Sequence, residues 1–161
     1  MLTKHRLLLA LFSTGTQAAT LWKGTNTHSV ASGSGDVLDT GGAAVTLSAQ
    51  STGENPFIGA ITSLEAGPFQ GKEVRLAGKL RVNDGAGTAA LWVRADGPVG
   101  RLAFASSGRD PVRAGDGSLA RELLLYIPAS TTSLKFGVTL NSAGHVEADG
   151  GTCEVDRRLC P

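Results

Sequence analysis

Trp92, Arg94 and Asp96 stand at alternate positions of one run, Ala89 to Asp96. Residues two apart on a strand share a face, so an indole, a guanidinium and a carboxylate would project together. That set suits a sugar: an indole plane stacks on the apolar C–H face of the ring, while Arg and Asp reach its hydroxyls. The competing reading places Trp92 between two sheets, as sandwich cores commonly do, with Arg94 at the core's edge on a carboxylate partner. Aromatic residues make up 5% of the chain, which argues against a broad stacking platform. Trp22 and Tyr126 are the other large amphipathic rings, and nothing in the sequence sets them beside Trp92.

No catalytic set stands out. Glu65, Glu73, Asp96, Glu122 and Asp149 are dispersed among turns and strands, whereas glycoside hydrolysis needs two carboxylates at a set separation across one cleft. A serine hydrolase needs an imidazole within reach of its nucleophile. Once the N-terminal segment is set aside, His28 and His145 are the imidazoles left, and no G-x-S-x-G elbow occurs. Ser32-Gly33-Ser34-Gly35-Asp36 lacks the Lys and the following helix of a phosphate loop and reads as flexible. Arg75, Lys79 and Arg81 form a basic stripe on one strand. It is either a solvated face balanced by acidic neighbours across strands or a seat for an anionic glycan or lipid headgroup.

The elements that hold these residues are strands. Val74, Leu76, Gly78, Leu80 and Val82 alternate with Arg75, Ala77, Lys79 and Arg81, the cleanest half-buried strand in the chain. Val45-Leu47-Ala49, Ile58-Ala60-Thr62-Leu64, Leu91-Val93, Leu102-Phe104 and Leu134-Phe136-Val138-Leu140 alternate likewise. Leu119 to Ile127 is apolar on both sides toward its end, which predicts a central strand. Val146–Ala148 and Thr152–Val155 predict two short closing strands. Asn83-Asp84-Gly85, Asp96-Gly97-Pro98 and Asn141 to Gly144 are turns by composition, and residues 106–117 read as a loop. Many short strands with turns between them predict an all-β, antiparallel two-sheet β-sandwich.

The first residues predict an address. Lys4, His5 and Arg6 precede the apolar run Leu7 to Phe12, and Thr16-Gln17-Ala18 follows with small residues where a signal peptidase reads. Cleavage after Ala18 would export the chain to the periplasm or the extracellular space. The expected organisation is a signal peptide over 1–18, a polar segment over 19–43 that is partly flexible or a first strand, and a sandwich domain over 44–161. Cleavage would leave about 143 residues, one domain by the length prior. The Leu7 run is too short to span a bilayer, so no transmembrane anchor is expected after processing. In an oxidising compartment Cys153 and Cys160 are most simply a disulfide, worth roughly 2–3 kcal/mol for so short a loop; free thiols are the alternative. A net charge of +1 argues against a nucleic-acid binder.

A resemblance emerges from the order of landmarks. Asn55-Pro56-Phe57-x-Gly59 precedes Pro68-Phe69-x-Gly71-Lys72-x-Val74-Arg75-Leu76. Ala90-Leu91-Trp92-Val93-Arg94-x-Asp96-Gly97, Leu102-Ala103-Phe104 and Arg109-x-Pro111-Val112 follow, then Ile127-Pro128, Leu134-x-Phe136-Gly137 and Gly144-x-Val146. From about residue 40 to 156 the chain resembles the carbohydrate-binding-module-like, galactose-binding-like jelly-roll domains of secreted bacterial proteins. The resemblance implies two facing antiparallel sheets, no catalysis and no cofactor beyond a structural calcium ion, for which Asp149 is the candidate ligand; the plainer role of Asp149 is a turn before Gly150-Gly151. The chain departs from that pattern at Ala105-Ser106, where a polar pair is usual, at Ser118-Leu119, where a Trp is usual, and at Asp149-Gly150, where paired acids are usual.

The expected function is therefore an exported, non-catalytic binding module for a carbohydrate or cell-envelope glycan, with Trp92, Arg94 and Asp96 as its ligand-binding residues. The alternative is a structural or protein-interaction sandwich with no small ligand. Nothing in the sequence sets an oligomeric state.

Overall fold

A computed structural model of the chain describes residues 19–20, 35–39, 45–49 and 57–155. The predicted signal over 1–18, Trp22, His28 and Cys160 lie outside the described residues. Among the described residues, eleven strands make two antiparallel sheets. The first sheet runs β2 (Gly35–Asp39), β3 (Val45–Ala49), β11 (Gly144–Val155), β5 (Glu73–Gly85) and β9 (Ser118–Tyr126), and β1 (Ala19–Thr20) also pairs with β11. The second runs β4 (Phe57–Glu65), β10 (Ser133–Asn141), β6 (Thr88–Gly97) and β7 (Gly100–Ser106), and β8 (Val112–Arg113) pairs with the start of β6. With β1, β2 and β8 set aside, the orders β3-β11-β5-β9 and β4-β10-β6-β7 are those of a jelly roll.

Alternation explains the layering. Val74, Leu76, Leu80 and Val82 of β5 face Leu91 and Val93 of β6 and Phe136 and Leu140 of β10 in one core. All eight are at most 2% exposed. Phe69, on the 3-10 turn Gly67–Phe69, joins the same core. Truncating the fully buried Phe136 to Ala would cost about 3–5 kcal/mol. Among the described residues no helix is long and apolar enough to cross a membrane.

Four sequence expectations need correction. Among the described residues β9 is not central: it closes the edge of the first sheet, paired with β5 alone. Its second apolar face is not buried, since Leu124 is 45% and Tyr126 57% exposed. The two predicted closing strands are one strand, β11, whose register against β5 slips between Asp149 and Thr152. The extra residue is a β-bulge at Gly150-Gly151. It moves the buried positions from Val146 and Ala148 to Cys153, which breaks the period that the sequence shows. The predicted loop over 106–117 contains β8, and Gly35 and Asp36, read as flexible, open β2.

Candidate functional site

β6 fixes the orientation of the Trp92 strip. Ala89, Leu91, Val93 and Ala95 are buried in the core, so Trp92, Arg94 and Asp96 project from the outer face of the second sheet. The core reading of Trp92 is thereby overturned. Trp92 is half-buried, and its Nε1 is buried with no acceptor among the described residues. What the ring offers outward is apolar surface.

The neighbouring strands complete the face. Across β10, Lys135 registers with Arg94, Gly137 with Trp92 and Ser133 with Asp96. Gly137 is flanked by Trp92 on one side and Ile61 of β4 on the other. A Cβ there would overlap the Ala60 carbonyl oxygen. Only glycine keeps the strands this close.

Asp96 anchors the polar end. Its Oδ2 accepts hydrogen bonds from Arg94 Nε at 3.2 Å and Arg94 Nη2 at 3.0 Å, and lies 3.1 Å from Lys135 Nζ. Burial by itself would raise the Asp96 pKa. The hydrogen bonds and positive charge of Arg94 and Lys135 outweigh it and hold the carboxyl below its ordinary value. Asp96 is thus a fixed carboxylate whose charge is spread over two cations. Its main-chain carbonyl accepts from Thr132 N at 2.8 Å, which pins the strand end.

On the other side of β6, Phe104 of β7 registers with Arg94 and Ser106 with Trp92. Simple alternation would put Arg101 and Phe104 on opposite faces. A bulge against Ala95 and Asp96 shifts the phase, and Arg101 registers with Asp96 on the outer face. Its guanidinium carbon sits 5.5 Å from the centroid of the Phe104 ring. Phe104 is 48% exposed. With Ala105, Ser106, Gly108 and Arg109 it lines an open groove of about 470 Å³ beside Trp92. Sequence reasoning missed Lys135, Phe104, Arg101 and Arg109. The outward place of Lys135 is visible in the β10 alternation, but which strand it meets is not; Arg101 is hidden by the bulge.

The outer face of the first sheet is of another kind. The basic stripe lies there, and each member has an acid on a neighbouring strand. Arg75 Nη1 is 3.1 Å from Glu122 Oε2, Arg81 registers with Glu147, and Lys79 registers with Asp149. Asn83 Nδ2 also donates to Glu147 at 2.8 Å. Opposite charges thus face each other across the strands, as in the solvated-face reading of the stripe. Asp149 lies on β11, not in a turn, and faces Lys79. Among the described residues no three His, Cys, Asp or Glu side chains cluster to hold a metal ion. Calcium needs six or more oxygens, so a site at Asp149 would draw most of them from main-chain carbonyls. Tyr126 also lies on this sheet, away from Trp92. Cys153 is buried in the core, and its predicted partner Cys160 lies outside the described residues.

No protein-family model and no curated protein sequence matches the chain. Solved structures do match its fold. The enzymatically active domain of tailspike protein 4 of bacteriophage CBA120 superposes with a TM-score of 0.54 at 11% identity. That match covers 80% of this chain but spans 18% of the tailspike chain. The xylan-binding CBM22-1 domain of Paenibacillus barcinonensis Xyn10C gives 0.50 at 13% identity, covering 83% of this chain and 88% of that one. A family 4 carbohydrate-binding module gives 0.50 at 10% identity, with 79% and 81% covered. The protein has the β-sandwich fold of carbohydrate-binding modules.

Proposed function

We propose that the chain is an exported, non-catalytic glycan-binding module whose ligand crosses the outer face of β10, β6 and β7. One observation carries this reading: Trp92, Arg94 and Asp96 share that exposed face, with an apolar ring surface beside a hydroxyl-binding carboxylate that Arg94 and Lys135 keep charged. The fold of the xylan-binding neighbour supports a glycan as the ligand class. Catalysis would need a second carboxylate working across from Asp96, and Asp96 is committed to two cations. The test is a neutral and acidic polysaccharide panel run on wild type and Trp92→Ala, with circular dichroism to confirm that both are folded. Binding lost in the variant supports the face; equal binding by a folded variant removes it.

Export belongs to the same proposal. Cleavage after Ala18 would leave Ala19, the first residue of β1, at the N-terminus. Cys153 and Cys160 would then close the tail as a disulfide. N-terminal sequencing and non-reducing mass spectrometry of exported protein check both; an uncut N-terminus or two free thiols would refute them. A second reading, a protein-interaction sandwich, draws on Leu124 and Tyr126, which expose apolar surface on the edge strand β9. It gains if no polysaccharide binds and if Leu124→Ser abolishes capture of a purified protein partner.

A further inference from the structure

We propose that the glycan is acidic, with carboxylates on its sugar rings, and that Arg101 and Arg109 receive them at the groove along β7. The inference rests on the glycan reading above and adds a charge to it.

The argument begins with where the cations have partners. On the first sheet, Arg75 is held by Glu122, and Lys79 and Arg81 lie in register with Asp149 and Glu147. On the second, Arg94 and Lys135 are both held by Asp96. Arg101 and Arg109 have no carboxylate partner among the described residues. Arg101 registers with Asp96, yet its guanidinium lies over the Phe104 ring rather than on that carboxylate. The acid next to Arg109, Asp110, is taken by Arg121 at 3.1 Å. The groove therefore sets two guanidiniums, without a carboxylate partner among the described residues, beside an exposed aromatic ring.

The geometry suits a sugar acid better than a free anion. Phe104 and Arg109 line the same groove, so apolar ring surface and a guanidinium are offered together. Arg101 stacked on Phe104 is held in place before any ligand arrives, which lowers the ordering cost of binding. A guanidinium fork meets a planar carboxylate through two parallel hydrogen bonds, a match a Lys ammonium does not make. Trp92, in register with Ser106 of the groove wall, supplies a stacking surface for a neighbouring ring. A uronic-acid polymer carries an apolar ring face and a carboxylate on each unit, and both features find a counterpart here.

Matched polymers test the charge by itself. Polygalacturonate and its methyl ester share a backbone and differ in the carboxylate, so titration calorimetry of each isolates that group. Wild type is expected to bind polygalacturonate about tenfold or more tighter than the ester. Arg101→Gln and Arg109→Gln should each lower affinity for the acid by about tenfold and leave the ester unchanged. Trp92→Ala should weaken both. Equal affinity for acid and ester would overturn the charge inference while leaving the glycan reading intact. Binding of neither polymer would overturn it too, and the neutral panel would then decide the glycan reading separately. Tighter binding of dextran sulfate than of polygalacturonate would overturn the carboxylate assignment. A loss in Lys79→Gln, on the opposite face, equal to that in Arg101→Gln would reduce the effect to diffuse attraction and overturn the site.

Discussion

The outer face of β5, β9 and β11 and that of β10, β6 and β7 draw on similar residue types and arrange them differently. On the first, each cation of the basic stripe has an acid on the neighbouring strand, and its exposed apolar residues, Leu124 and Tyr126, sit on the edge strand β9. On the second, one acid holds two cations, and Trp92 and Phe104 lie among the charges. A balanced mosaic keeps a sheet surface hydrated and inert. An aromatic surface next to a fixed carboxylate and unpaired guanidiniums is a surface with chemistry to offer. Charge count does not separate the two faces; the aromatic surface set among the charges does.

The sharpest way to break the second face is to thicken its floor. Gly137→Ala would force a Cβ onto the Ala60 carbonyl and should cost about 2–3 kcal/mol, read as a fall in thermal midpoint. Ala77, midway along the outer face of β5, already carries a Cβ, and Ala77→Ser should cost far less. Next, Trp92→Ala should weaken glycan binding roughly 30-fold, about 2 kcal/mol, by calorimetry against the best polysaccharide of the panel. Trp92→Phe separates stacking from the buried N–H. It should keep most of the affinity and raise stability by about 1 kcal/mol, because the unpartnered Nε1 is gone.

Asp96→Asn comes after these. At neutral pH it should destabilise by about 0.5–1 kcal/mol, the modest scale of partly exposed ion pairs. The Asp96 pKa is depressed in the folded protein. Its stabilisation is therefore full above the unfolded value and lost as pH falls through the folded one. The gap between wild type and variant should persist from pH 7 to near the ordinary value of 3.8 and close below it, in denaturant melts across that range. The smallest effect belongs to the first face: Arg75→Ala should change stability by under about 0.5 kcal/mol and leave glycan affinity untouched. A binding loss there would erase the distinction between the faces.

Much of this was legible in the chain. Strict alternation placed the buried side correctly in β5 and β10; in β6 it grouped Trp92, Arg94 and Asp96 on one face and left open whether that face was core. It failed at two bulges. The Gly150-Gly151 bulge reverses the phase of β11 and made one strand read as two. The bulge opposite Ala95 and Asp96 carries Arg101 to the face of Phe104. A period of two has no memory across an inserted residue. Strand neighbours were also beyond reach, because register is a property of pairs. Lys135 could be read as outward, but its meeting with Asp96 depends on how β10 lies against β6. The apolar double face of Leu119–Tyr126 misled for a related reason: it cannot tell an inner strand from an edge that keeps Leu124 and Tyr126 uncovered.

The last strand also sets the order of events. β11 lies between β3 and β1 on one side and β5 on the other, so the first sheet has a gap at its middle until β11 is in place. Pairings this distant in sequence form slowly. The two halves of the first sheet therefore stay unjoined until β11 docks between them, and the sandwich acquires its shape last along that seam.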